Sequence, residues 1–518
     1  MSLSTNFKTW LASDDVGLRC LLVDVGVLIG GHGGSETTRY LSDVGYATAA
    51  GDTPANTPYQ SCVSGSGVQF SRRLDIEGSG GSISYGDIEI YNEDGSLDSW
   101  INDIWAGRVI NVYLGDAGDA TRGIAKWPKT QFELIFSGTV DDIVPKSRTL
   151  LSLTVRDIFG PLNSAISTST VLSAFGGTPP QPDQLLPICL GECFNVTPML
   201  VSTTGKGTYS VHLKTTIQSV AETVAGVPVT EVRDNGVRVA STPDASTATF
   251  ALTNQLYGTL TCDVQGAKIA GDWRNDVGGL VEWIATLLGD GQFITSGQID
   301  ATALTAFRAA CPQAVGLYTD GRANRLQTMQ QLAASVGATL TTTYDGKLIL
   351  VRVDLSGGSV GTITTRDMVS GTFGPVSRTV VNGAISLNSG RNWTPQTTLA
   401  AQLTAAQLPI FENAVVLNSV SDSAVLVDWK QVSTPVPVDT LLVITSEAVT
   451  EANRLLALWK VPHTIYGFDG FASLFKYEIG NIVTLVFPRF GLSGGVTGQI
   501  VGVTHDWVKR VVHLEVMV

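Results

Sequence analysis

Three short segments of this 518-residue chain hold residue types that could do chemistry. Gly491-Leu492-Ser493-Gly494-Gly495 has the G-x-S-x-G spacing of a hydrolase nucleophile elbow, and His505 lies downstream as a base. An elbow needs a strand-to-helix turn that lifts its serine to the top of a sheet. Here strand patterns lie on both sides and no helix follows, so the segment reads as a glycine-rich hairpin loop. Gly30-Gly31-His32-Gly33-Gly34 has the composition of an oxyanion-hole glycine strip, but no serine and base accompany it. It also lacks the Gly-Lys-Ser/Thr ending of a phosphate-binding loop, so it too reads as a loop.

Cys189 and Cys193 are the two thiols close enough in sequence to be metal or iron–sulfur candidates, with Cys20, Cys62 or Cys262 as further ligands if folded near. Their three-residue gap is not the two-residue gap of zinc or redox pairs, and burial as small apolar side chains is the preferred reading. The histidines His32, His212, His463, His505 and His513 are too dispersed to suggest a metal site, and no two carboxylates stand out as a matched acid and base. The expectation is a chain with no catalytic residue, no cofactor and no metal, and hence not an enzyme.

The elements around these residues are mostly strands. Gly107 opens a strand with Ile110, Val112 and Leu114; Gly138 opens another with Val140 and Ile143; Leu151, Leu153 and Val155 alternate in a third. The end of the chain repeats that order, with Gly480 before Val483, Leu485 and Phe487, Gly498 before Ile500 and Val503, and then Val512, Leu514 and Val516. Apolar side chains at every second residue mark strands with one buried face, and strands this close together pair as antiparallel meanders. The expected fold class is therefore mainly β with α+β insertions, built on two tube-like β-barrels. The expected domains are an N-terminal barrel over 1–165, a β-rich insertion over 166–270, an α+β domain over 271–375, and a helix plus second barrel over 376–518.

Helical spacing predicts a short helix over Leu97 to Trp105, one around Leu280 to Leu288, and one from Asn324 to Val336 stopped by Gly337. A last helix follows Ser446 as N-cap, with Val449, Ala452, Leu455, Leu456 and Trp459 facing inward, the Leu455, Leu456 and Trp459 face set against the second barrel or a neighbouring subunit, and Glu451 on the solvent face.

Composition narrows the function classes. A formal charge of −13 repels phosphate backbones and argues against a nucleic-acid binder. With 43% hydrophobic and 15% charged residues the chain has material for several cores and is expected to be globular throughout. It has no apolar run of membrane-spanning length, and its polar, acidic start is unlike a signal peptide, so a soluble protein made in the cytosol is expected. Six scattered cysteines are not a disulfide framework.

The segments ISYGDIEIYNEDGSLDSWINDIWAGRVINVYLG, FELIFSGTVDDIV and LSLTVRD resemble the N-terminal portion of tail-tip and baseplate hub proteins of tailed bacteriophages. PICLGECFNVTPML, VRDNGVRV and RLQTMQQLAASVGATLTTTYDGKLILVRV, then EANRLLALWKVPHTIYGF through YEIGNIVTLVFPRFGL to HLEVMV, are similar to the later parts of such minor tail proteins. The resemblance implies a virion structural protein, assembled in the host cytoplasm, in which two barrels per subunit form a trimeric, pseudo-sixfold ring continuing the tail tube. Its implied partners are further copies of itself, a tail tube or distal tail protein on one side, and a fibre, spike or central tip protein on the other. The genome would pass through the lumen without specific binding. Two other readings are a hexameric distal-tail ring protein with one barrel per chain, and a glycan-binding or glycan-cleaving adhesin whose loop aromatics stack on sugars.

Overall fold

Alternating apolar residues dictate most of the architecture. The structure, a computed structural model, describes all residues except 1–2, 14–15, 65–68, 77–81, 157–158, 225–226, 288–293, 432–434 and 508. It is mainly β, with 40% strand and 18% helix. Near the N-terminus, α1 (Thr5–Ala12) precedes β1 (Arg19–Ile29), β2 (Ser35–Ser42), β3 (Gln69–Arg73), β4 (Ser82–Tyr85), β5 (Ile88–Tyr91), β6 (Val109–Asp116), β7 (Glu133–Ser147) and β8 (Leu150–Arg156). One sheet takes six of these in the order β2-β1-β6-β7-β8-β5, with all of those pairs antiparallel, and Pro58–Ser61 pairs parallel with β2 at its end; β3 and β4 belong to the second sheet.

The middle of the chain contributes β9 (Pro187–Val196), β10 (Leu260–Ile269), α2 (Val277–Thr286), β11 (Gly316–Asp320) and α3 (Arg325–Ala334). β9 lies between β10 and β11, and α2 and α3 pack together over a core of Ile188, Leu190, Val281, Ile284, Met329 and Leu332. Both helices start where a short polar side chain satisfies a free backbone donor. Asp276 accepts from the Gly279 N–H at 2.9 Å and Asn324 from the Gln327 N–H at 3.0 Å. Leu288, the expected end of the first, lies outside the described residues.

The last part holds β12 (Thr362–Ile363), β13 (Gly374–Arg378), β14 (Ala384–Ser389), β15 (Val416–Ser421), α4 (Thr445–Trp459), β16 (Thr464–Gly470), β17 (Ile482–Leu485), β18 (Val496–Asp506) and β19 (Val511–Met517). A second sheet runs β12-β17-β18-β19-β16-β13.

The two sheets repeat one plan. β6-β7-β8-β5 and β17-β18-β19-β16 have the same spatial and sequential order, and in both the first strand in sequence (β5, β16) is joined to the next by a 3₁₀ turn, Asp98–Asn102 or Ala472–Lys476. Gly107 and Gly480 open the second strands with φ of +74° and +87°, a conformation that favours glycine. Their N–H groups donate to Val140 and Ile500 respectively, both at 2.8 Å. Gly138 and Gly498 sit where a Cβ would collide with the carbonyls of Arg156 and Met517, the matching residues of β8 and β19. The long strands share one bulge position, with Asp141 extra in β7 and Val501 extra in β18, and β7 has further register shifts opposite Leu150/Leu151 and Val112/Tyr113.

Three expectations need correction. Neither sheet is a closed barrel among the described residues. β3, although it lies in sequence among the strands of the first sheet, pairs with β4 on one side and with β18 of the second sheet on the other. The segment over 97–105 is a single 3₁₀ turn, with Trp100 and Trp105 buried but Ile101 49% exposed. The last helix starts at Thr445 with Ile444 at its N-cap, so Ser446 lies inside the first turn. It packs chiefly on β14 and β15, while Leu458 and Trp459 reach the core that the two repeats share. Its most buried residues are Ala448, Glu451, Ala452 and Leu456; Leu455 and Trp459 are half-buried, and Glu451 is 1% exposed.

Candidate functional site

The joint between the repeats gathers polar side chains from both, and β3 builds it. The run Phe70, Arg72, Leu74 alternates inward. Phe70 stacks on Phe136 of β7 with centroids 4.4 Å apart, while Arg72, 2% exposed, donates to the Thr342 carbonyl at 2.7 Å and pairs with Glu478 at 2.8 Å. A charge this deep is tolerable only with such partners. On the outward positions Gln69 donates to Asp506 at 2.8 Å, the Thr504 hydroxyl to Ser71 at 2.9 Å, and Arg73 pairs with Glu515 at 3.0 Å. The ladder Gly502↔Arg73 through Asp506↔Gln69 completes it. Both sheets contribute to one apolar core, with Val23, Ile110 and Phe136 from the first and Phe468, Val483 and Leu514 from the second. Such a joint can hold two repeats in fixed register; it presents no reacting group. Sequence reading missed it, because strands about 430 residues apart leave no periodic signal; the alternation of Phe70, Arg72 and Leu74 was the one clue.

The residues singled out for chemistry are not brought together. Ser493 is exposed in the loop between β17 and β18, with strands on both sides. His505 is buried, its ring stacked on Trp507 at 4.9 Å and 5.3 Å from Phe475, and neither ring nitrogen has a hydrogen-bond partner among the described residues. Burial, and secondarily the Arg72 charge, push its pKa well below the usual value, so the ring is a neutral packing element. Ser493→Ala should leave stability within about 0.5 kcal/mol of the parent and assembly unchanged. Loss of an ester- or peptide-hydrolysing activity in that variant, measured on purified protein, would instead make the loop catalytic.

Cys189, Cys193 and Cys262 lie in one buried apolar cluster with Val196, Val232 and Phe250. The Cys193 thiol donates to the Leu190 carbonyl at 3.5 Å, and burial pushes the Cys189 and Cys262 thiols well up, away from the thiolate a metal needs. His212 accepts from the Cys189 backbone N–H at 3.0 Å, its pKa pushed down to about 3 by burial. Among the described residues no three His, Cys, Asp or Glu side chains could hold a metal ion together. His32 is exposed in its glycine loop, His463 contacts the Leu458 carbonyl at 2.8 Å, and His513 contacts Asp469 at 2.8 Å. No described helix is long and apolar enough to cross a membrane.

The fold is thus a mainly β chain carrying two repeats of one sheet plan around α-containing insertions. No protein-family model matches the sequence, and no curated protein does. Among solved structures the chain is similar to a tail protein from Neisseria meningitidis (11% identity, 96% of each chain, TM-score 0.36) and to the 43 kDa tail protein of prophage MuSo2 from Shewanella oneidensis (9%, 96% of each, 0.37). It is also similar to the prophage tail protein gp18 from Listeria monocytogenes (9%, 90% of this chain and 92% of that one, 0.38).

Proposed function

We propose that this chain is a structural, non-catalytic component of a phage tail tip or baseplate, a hub whose copies form a ring that continues the tail tube. The observation that carries the reading is the repeat. Two units of one plan, locked edge to edge within a chain, are what a threefold assembly needs to offer six similar units to a sixfold tube. The resemblance of the sequence to hub proteins points the same way. The formal charge of −13 suits a passage that conducts DNA without holding it. Two units per chain favour a hub over a distal-tail ring, which needs one. Purified protein should form rings of three chains by mass measurement and imaging, and tagged protein should sit at the tail tip of particles. A chain that stays monomeric at high concentration and is absent from particles would refute the reading.

A further inference from the structure

The joint inside the chain has a counterpart with both halves bare. Val63 bridges Ile90, and the Ser64 N–H donates to the Glu89 carbonyl at 2.8 Å; in the second repeat Met368 bridges Gly470 and the Val369 N–H donates to the Asp469 carbonyl, also at 2.8 Å. Five residues beyond Ser64 and Val369 begin β3 and β13, so β13 is the second repeat's equivalent of β3. β3 pairs with β4, which with β5 takes the place of the unbroken β16, and β13 pairs with β16. The outer edge of β3 is filled by β18. Among the described residues nothing pairs with the outer edge of β13, where Pro375, Val376, Ser377 and Arg378 are exposed.

The acceptor has a counterpart too. The bulges at Asp141 and Val501 align β7 with β18, so the β18 segment Gly502–Asp506 that receives β3 corresponds to residues 142–146 of β7. Ile143 is buried there; Asp142, Val144, Pro145 and Lys146 are exposed, and no described strand pairs with this side. The Ile143 N–H is held by the preceding side chain, Asp142, at 2.8 Å.

We propose that β13 of one copy adds antiparallel to residues 142–146 of β7 in the next copy, repeating between chains the joint that β3 and β18 make within one. This assigns the contact of the ring proposed above and rests on that reading. Counting residues from Ser64 and Val369 and applying the internal register, Gly502↔Arg73 and Thr504↔Ser71, places Arg378 opposite Asp142 and Val376, the bulged residue of β13 against β16, opposite Val144. The match is chemical as well as positional. Opposite charges face each other, and two exposed valines, 50% and 38% accessible, become a cross-strand pair. Pro375 meets Pro145, two residues without an N–H, so the ladder is short and side chains supply the selectivity. Prolines and Lys146 also deter indiscriminate pairing of these edges. The contact is heterologous, so it propagates from copy to copy and closes when the rotation closes.

The six native cysteines are buried and free, which makes cross-linking a clean test. Val144→Cys and Val376→Cys proteins should each give no linked dimer alone and a disulfide-linked dimer when mixed. Asp142→Arg should lose the assembled species, and adding Arg378→Asp should restore it; all four positions are exposed, so the fold is kept. Wild-type rings with no cross-link in the mixture, or with Asp142→Arg still assembling, would overturn this contact and leave the hub reading standing. A wild-type chain that neither assembles nor cross-links would overturn both.

Discussion

Trp507→Ala should cost about 3–5 kcal/mol of stability, the range for removing a fully buried tryptophan. The side chain is 0% exposed and meets three distant segments, Phe7 of α1 at 6.2 Å, Phe475 of the second 3₁₀ turn at 4.8 Å and Tyr344 at 6.3 Å, as well as the neighbouring His505 at 4.9 Å. Its indole N–H has no acceptor among the described residues, so the cost is packing and not a lost hydrogen bond. Trp507→Phe should therefore cost less than half as much. The repeat supplies its own control. Ile101 of the first 3₁₀ turn is the counterpart of buried Phe475 and is 49% exposed, so Ile101→Ala should stay within about 0.5 kcal/mol of the parent. Denaturant unfolding of the three variants measures all of this. A Trp507→Ala cost near 1 kcal/mol would mean that α1 and the second repeat do not unfold as one unit.

The duplication was legible in the sequence because its signals are local. Gly107, Gly138, Gly480 and Gly498 each answer a backbone need within a few residues, and the alternations at Leu151 and Val512 need only one buried face. The helices from Val277 and Arg325 were legible for the same reason, through Asp276 and Asn324. What could not be read was which edge meets which. β3 and β18 lie about 430 residues apart, and nothing in Gln69–Arg73 tells its destination from that of Gly374–Arg378, which folds back on its own sheet. Barrel closure was expected because a strand plan constrains neighbours and not ends. Residue type misled at Glu451. A glutamate on an amphipathic helix reads as solvated unless its cations, here Arg352 from 99 residues away, are known to converge on it.

Glu451 accordingly carries the opposite expectation from that of a solvent-face residue. It accepts from Arg454 Nε at 2.9 Å and Nη2 at 2.6 Å, with Arg352 Nη1 at 3.9 Å. Arg454 in turn donates to the Val353 carbonyl at 3.0 Å, tying α4 to the residue that follows the strand Leu348–Arg352, and Arg352 also pairs with Asp354 at 3.3 Å. Removing one partner of a buried pair leaves an uncompensated charge, typically costing about 3–5 kcal/mol, and Glu451→Ala should fall in that range. Glu451→Gln keeps the shape and one acceptor and should cost less. Coupling makes the prediction sharp. Because replacing both partners by apolar groups is often nearly neutral, Glu451→Met with Arg454→Met should recover much of what Glu451→Ala loses, and a double-mutant cycle should return an interaction well above the about 0.3–0.5 kcal/mol seen for independent sites. The Arg352–Asp354 pair lets that guanidinium survive the double change. If the single and double variants are equally unstable, the helix is held by Ala448, Ala452 and Leu456 alone, and the buried carboxylate is incidental to how α4 is seated.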